Sequence, residues 1–169
     1  MASINKKIFP TNSPVVIITG GDSGIGLAIA EKFSDKGYRV AIGGIDRRNG
    51  ACALARLGRS QTEAVYLTAD VRREKQVQGL MRRAVARFGR LDVLCNNAGI
   101  QKLALLDSAS SALWDDVMAV NARGVFLCTK YALPYVKKTK GSIINIGSTA
   151  GLVGYAGDQL TVHRRRRWS

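Results

Sequence analysis

An α/β fold built on one parallel sheet of about five strands, with helices on both faces, is what this 169-residue sequence predicts. Three observations carry that expectation. Short apolar, β-branched runs alternate along the chain with segments of helical period, the pattern of strand–helix–strand crossovers. The apolar runs are nearly continuous, as strands covered on both faces require. Polar and small residues fall just after the apolar runs, at the carboxyl ends of strands, where such sheets bind ligands.

Val15–Thr19 is the first strand. It delivers the chain into Gly20, Gly21, Gly24 and Gly26, and a helix follows from Gly24 to about Lys36, with Gly37 placed as its C-terminal stop. Strand, glycine loop and helix in that order make an anion site, because glycines let the backbone approach a diphosphate and the helix end offers unpaired N–H groups. A tight turn without a ligand is the plainer reading of the same residues. Arg39–Ile42 is the second strand. Arg48–Leu57 is a helix closed by Gly58, and Ala64–Leu67 is the third strand. Between Arg73 and Phe88, Val77, Leu80, Met81, Ala84, Val85 and Phe88 recur at spacings of three and four, a helix ended by Gly89. Leu91–Cys95 is the fourth strand. Trp114–Tyr135 is a long helical stretch that reads as two helices meeting near Val120, and Ser142–Ile146 is the fifth strand.

The chemistry-bearing residues follow four of these strands: the glycine loop after the first, Asp70 after the third, Asn96–Gly99 after the fourth and Ser148 after the fifth. Each has a bland alternative. Asp70 could cap the helix before Arg73. Asn96 and Asn97 could form an ordinary turn. Asn121, a poor helix former in mid-helix, could be a buried amide that shapes a kink. Ser148 could be a turn residue.

Read together, these segments resemble the short-chain dehydrogenase/reductase family. Thr19-Gly20-Gly21-Asp22-Ser23-Gly24-Ile25-Gly26 is similar to its Thr-Gly-x-x-x-Gly-Ile-Gly loop, and Asn96-Asn97-Ala98-Gly99 to its Asn-Asn-Ala-Gly motif. Asp70-Val71, Asn121 and Ser148 fall in family order, and the matches span about residues 12–154. The resemblance implies a Rossmann-type doubly wound sheet and hydride transfer between a nicotinamide and a carbonyl or secondary alcohol. It implies an NAD(P) site built from Thr19, Gly20, Asp22, Ser23, Gly24, Ile25, Gly26, Asp70, Val71, Asn97, Ala98, Gly99 and Val120. Catalytic parts fall to Asn121, whose carbonyl would hold a water, and Ser148, which would steady the substrate oxygen. Asp70 would meet the adenine, and Asn96–Gly99 would leave room for the ribose and nicotinamide. The second strand ends in Gly43, Gly44 and Ile45 before Asp46, Arg47 and Arg48. With no acid on that strand end to repel a 2′-phosphate, the reading leans weakly to NADP.

The family pattern breaks near the end. No Tyr-x-x-x-Lys follows the fifth strand: Tyr155 is followed four residues on by Gln159, and no lysine occurs after Lys140. That pair would supply the proton donor and lower its pKa, so little or no turnover is expected of this chain. Residues 1–161 read as one incomplete dinucleotide-binding domain, and 162–169 as a basic tail outside the family pattern. A frameshifted or truncated gene product is the expectation, tested by reading the coding DNA in its other frames for Tyr-x-x-x-Lys. A non-catalytic dinucleotide-binding module and an unstable fragment are the alternatives.

Composition bounds the rest. Three scattered cysteines and one histidine offer no metal-ligand spacing, and free thiols suit a reducing, cytoplasmic setting. No apolar run marks a secretion signal or a membrane span. The formal charge of +14 includes Arg164–Arg167. No aromatic residues interleave with the basic ones, so nucleic acid is not an expected partner. A small carbonyl or alcohol substrate is expected, and full-length relatives are expected to be homo-oligomers. Leu103–Leu106 and Leu152–Tyr155 could line part of a pocket or simply pack.

Overall fold

The computed structural model describes residues 12–58, 63–102, 104, 105 and 107–149. Its elements run β1 (Val15–Thr19), α1 (Gly24–Asp35), β2 (Arg39–Gly44), α2 (Arg47–Leu57), β3 (Ala64–Thr68), α3 (Glu74–Phe88), β4 (Val93–Asn96), α4 (Ser111–Met118), a π-helical turn (Ala119–Gly124), α5 (Val125–Thr139) and β5 (Ser142–Asn145). The five strands form one parallel sheet in the order β3-β2-β1-β4-β5. The chain therefore builds outward from β1 to β3 on one side, then returns to the other side of β1 for β4. The switch point lies between β1 and β4, where a doubly wound sheet opens a crevice beyond its strand ends.

Every residue of β1, β2 and β4 is buried. Alternation along β1 divides the core. Val15 and Ile17 pack with Val77, Leu80, Met81, Ala84, Leu127 and Val136 from α3 and α5. Val16 and Ile18 pack on the opposite face with Leu27, Ala30, Ala53 and Leu57 from α1 and α2. Burying one such aliphatic side chain fully is worth about 1.5–3 kcal/mol, and β1 does so on both faces of the sheet. Gly43 carries no side chain because Leu80 of α3 would stand 2.7 Å from a Cβ there.

Most helix ends follow the sequence reading, but the fourth helical stretch, read as Trp114–Tyr135, runs from Ser111, capped by Ser110, to Thr139. Gly37 (φ 78°) and Gly89 (φ 80°) take the left-handed geometry that stops α1 and α3. Asp46 caps α2 by accepting from the Arg48 and Asn49 N–H groups at 2.8 and 3.0 Å. The long fourth helical stretch does break at Val120, through a π-helical turn between α4 and α5. Two strands depart from expectation. β4 begins at Val93, because Asp92 turns its carboxylate to accept the Val15 N–H at 2.8 Å. At the sheet's edge β5 is largely exposed, with Ile144 39% exposed. The segments 152–155 and 162–169 lie outside the described residues, as do Leu103 and Leu106.

Candidate functional site

The glycine loop starts where β1 ends, against β2 on one flank and β4 on the other. Thr19 is paired in register with Gly43, and the Gly20 N–H donates to the Gly43 carbonyl at 2.6 Å. Gly20 turns the chain with φ 61°, and Gly24 does so again with φ 50°, backbone that L side chains strain to adopt. Gly26 is glycine for a different reason: a Cβ there would collide with the Gly20 carbonyl oxygen and Asn97 Nδ2. The first turn of α1 thus lies directly on the loop.

β4 locks the loop from the other side. Thr19 Oγ1 accepts from the Asn97 and Ala98 N–H groups, both at 3.1 Å. Asn97 Nδ2 donates to the carbonyls of Thr19 at 3.1 Å and Gly20 at 2.9 Å. These contacts consume the Asn97 amide hydrogens, so its side chain holds the loop's carbonyls inward and leaves the loop's outer face to other groups. Asn96 faces the other way, donating to Thr129 Oγ1 at 3.1 Å and Asn145 Oδ1 at 2.9 Å. Both partners are distant in sequence, one on α5 and one at the end of β5.

On the outer face, Ser23, Gly24 and Ile25 are exposed. Ser23 precedes α1 in extended geometry with no side-chain cap, and the first turn holds no acid. The helix end keeps its orphan donors and its partial positive charge for a ligand. A diphosphate fits this chemistry: small residues, open amides and no carboxylate in the first helical turn.

Around this centre the other expected residues divide. Asn121 sits in the π-helical turn, 3% exposed. Its Oδ1 accepts from the Ile100 N–H at 2.8 Å and its Nδ2 donates to the Ile100 carbonyl at 2.7 Å. The amide pairs with Ile100 as a neighbouring strand would, fastening the segment after β4 to the turn. Gly99 lies against it, since a Cβ there would stand 3.2 Å from Asn121 Oδ1. Val120 is buried in the same turn.

Asp70 is not a helix cap: α3 begins at Glu74, and Arg73 precedes it. Instead Asp70 Oδ1 accepts from the Arg72 N–H at 2.9 Å, and both carboxylate oxygens accept from the Arg72 guanidinium. Burial alone would raise this carboxyl, but the hydrogen bonds and charge of Arg72, with Arg73 adding, hold it below its ordinary value. Asp70 N–H donates to Gln76 Oε1 at 2.8 Å, and its carbonyl accepts from the Arg73 N–H at 3.0 Å. Val71 beside it is buried, and Gly124 lets it pack, since a Cβ there would come within 2.8 Å. Ser148 is exposed beyond β5. Tyr155 and Gln159 lie outside the described residues.

Asp22 is the residue whose setting is least visible in the sequence. Its carboxylate lies at the end of β2, where a Cβ on Gly44 would be 2.8 Å from Oδ2 and 3.0 Å from Oδ1. Burial pushes its carboxyl above the ordinary value, its own backbone hydrogen bond pulls part of the way back, and Asp46 adds to the rise. Tyr66 Oη lies buried in the same electrostatic neighbourhood, with no hydrogen-bond partner among the described residues.

The chain and its fold are similar to those of known proteins. A family profile described as short chain dehydrogenase matches residues 14–160. An uncharacterized oxidoreductase of Thermotoga maritima is 40% identical over 141 residues, 83% of this chain and 55% of that protein. D-beta-hydroxybutyrate dehydrogenase of Cupriavidus necator is 37% identical over 147 residues, 86% of this chain and 57% of that protein. The chain thus spans little more than half the length of these curated relatives. Among solved structures, an actinorhodin polyketide ketoreductase variant with NADPH superposes with a TM-score of 0.89 at 32% identity, over 94% of this chain and 62% of that one. A short chain dehydrogenase/reductase from Burkholderia phymatum in complex with NAD superposes with a TM-score of 0.87 at 28% identity, over 94% of this chain and 57% of that one.

Proposed function

The chain belongs to the short chain dehydrogenase family, and from that premise we propose that it binds a nicotinamide dinucleotide in the crevice between β1 and β4. The observation that carries this reading is the open glycine loop. Asn97 and Gly26 hold it flat against α1, and its outer face and the uncapped helix end are left for the diphosphate. Residues 20–26 would grip the diphosphate. The Asp70-Val71 segment would meet the adenine. Asp70 already spends its carboxylate on Arg72, which moves that contact to Val71. Ala98, Gly99 and Val120 would border the nicotinamide end.

When bound, the nicotinamide supplies a hydride donor or acceptor for a carbonyl or secondary alcohol. Ser148 would donate a hydrogen bond to the substrate oxygen and steady charge there. The side chain of Asn121 is committed to Ile100, so any hold on a water falls to its backbone carbonyl. No Tyr-x-x-x-Lys follows Ser148 in these 169 residues. General acid–base catalysis is worth roughly 10²–10⁴-fold, and these 169 residues, assayed by themselves, are proposed to bind dinucleotide with turnover lower by about that factor than a relative carrying the pair. A binding module without chemistry is the second reading, favoured by the same missing motif. The lean toward NADP rests on Gly43, Gly44 and Ile45, which put no acid on the second strand's own end; Asp22, brought to that end from the glycine loop, weighs against it.

Titration of the purified chain with NADH and NADPH, followed by cofactor fluorescence, tests the proposal. Saturable binding to at least one is expected. Failure of both to bind would remove it. A parallel assay with a panel of carbonyls separates the two readings, since measurable hydride transfer excludes the module.

A further inference from the structure

We propose that Asp22, a residue of the glycine loop, reads the 2′-position of the adenosine ribose and makes this chain prefer NAD(H) to NADP(H). The inference rests on the dinucleotide reading above and refines it.

In doubly wound dinucleotide sites an acid about 20 residues past the glycine loop, at the end of the second strand, hydrogen-bonds the ribose 2′-hydroxyl. Here that strand end is Gly44, the last residue of β2. It has no side chain, yet the place is not empty of charge. All three terminal atoms of the Asp22 side chain lie 2.8–3.0 Å from where a Gly44 Cβ would stand. Asp22 therefore fills the space that a residue-44 side chain would enter. The fold explains how it gets there. β1 pairs with β2 through Thr19 and Gly43, and Gly20 donates back to Gly43. Three residues past Thr19, the loop overlies the end of β2. Glycine at 44 and aspartate at 22 are complementary: any larger residue at 44 would displace the carboxylate.

Asp46 is the other acid at this corner, and it is already engaged. Its Oδ1 accepts from two N–H groups in the first turn of α2. Arg47 and Arg48 are exposed in that turn, where water and salt screen them. Asp22 is partly buried, so its charge acts through less solvent. A partly desolvated carboxylate gains from two ribose hydroxyl donors and loses from a 2′-phosphate dianion beside it.

The test uses the whole chain, titrated with NADH and with NADPH at pH 7 by cofactor fluorescence. The wild type is expected to bind NADH about tenfold more tightly than NADPH. Asp22→Asn, close to isosteric, and Asp22→Ser, which removes the group, are both expected to bring the two affinities within about threefold, chiefly by tighter NADPH binding. Asp46→Asn is expected to leave the wild-type ratio within about twofold. Equal affinities in the wild type, a preference for NADPH, or a ratio unmoved in both Asp22 variants would each overturn the assignment while leaving the dinucleotide site intact. Binding of neither nucleotide to the wild type would overturn the assignment together with the site.

Discussion

Thr19 and Asn97 clasp each other across the seam between β1 and β4. The Asn97 N–H donates to Thr19 Oγ1, and Asn97 Nδ2 returns a bond to the Thr19 carbonyl, both at 3.1 Å. A third bond at 2.9 Å ties Asn97 to Gly20. Asn97→Ala strands two inward carbonyls and is expected to cost about 1–3 kcal/mol of stability. Chemical denaturation measures that cost. Dinucleotide affinity should fall as well, since the loop it would bind loses its anchor.

Gly26 should tolerate no side chain. Gly26→Ala drives a methyl into the Gly20 carbonyl and Asn97 Nδ2 and is expected to destabilise by about 1–3 kcal/mol. Gly79 in α3 makes the contrast, because nothing lies within 4 Å of a Cβ there. Gly79→Ala should stabilise by about 0.5–1 kcal/mol. Thermal unfolding of the two variants should therefore move in opposite directions.

Asn121 couples the π-helical turn to Ile100 through a donor and an acceptor together. Asn121→Asp keeps the acceptor for the Ile100 N–H but sets a carboxylate against the Ile100 carbonyl. A loss of about 2–3 kcal/mol at neutral pH is expected. Lowering the pH should recover part of it, because a protonated aspartate can donate again. A loss that does not change with pH would contradict the pairing.

Asp22 gives stability a dependence on pH that runs against the usual carboxylate. Its folded-state carboxyl is raised above the ordinary 3.8, so the native chain holds more protons than the unfolded chain across that interval. Its contribution is most favourable below 3.8 and is lost as pH climbs through the raised value. Asp70 behaves oppositely: its lowered carboxyl contributes above 3.8 and that contribution fades as pH falls through the lowered value. Unfolding curves of Asp22→Asn against wild type should converge at low pH, with the variant the more stable at neutral pH. A variant less stable at neutral pH would contradict this sign.

Tyr66 carries a buried hydroxyl with no partner among the described residues. Tyr66→Phe keeps the ring that packs over Gly50, where a Cβ would meet it at 2.5 Å. The change should be neutral or stabilising, by no more than about 1 kcal/mol. A substantial loss on calorimetry would mean that the hydroxyl is bonded.

Much of the architecture was legible because it is local. The period of α3, the glycine stops at Gly37 and Gly89 and the apolar run of β1 each announce themselves within a dozen residues. The interruption near Val120 was legible from Asn121, although not its π-helical form. What could not be read depends on which strands become neighbours. The grip of the Asn97 amide on Thr19 and Gly20 is one such feature, present because β4 lies beside β1. Asp70 is a local exception: a cap was its plainer reading, but α3 starts past it and Arg72, two residues on, holds its carboxylate. Asp22 and Gly44 are unremarkable apart, and only the β1–β2 pairing brings one against the other.

The β1–β4 pairing also sets a timetable for synthesis. Ile17 lies beside Leu94, so a ribosome must release the whole stretch between β1 and β4 before β1 gains its second neighbour. Until then the nascent chain holds only the β3-β2-β1 side of its sheet. The clasp on the loop cannot close before Asn97 emerges, and nucleotide capture by arrested chains of increasing length should switch on abruptly there.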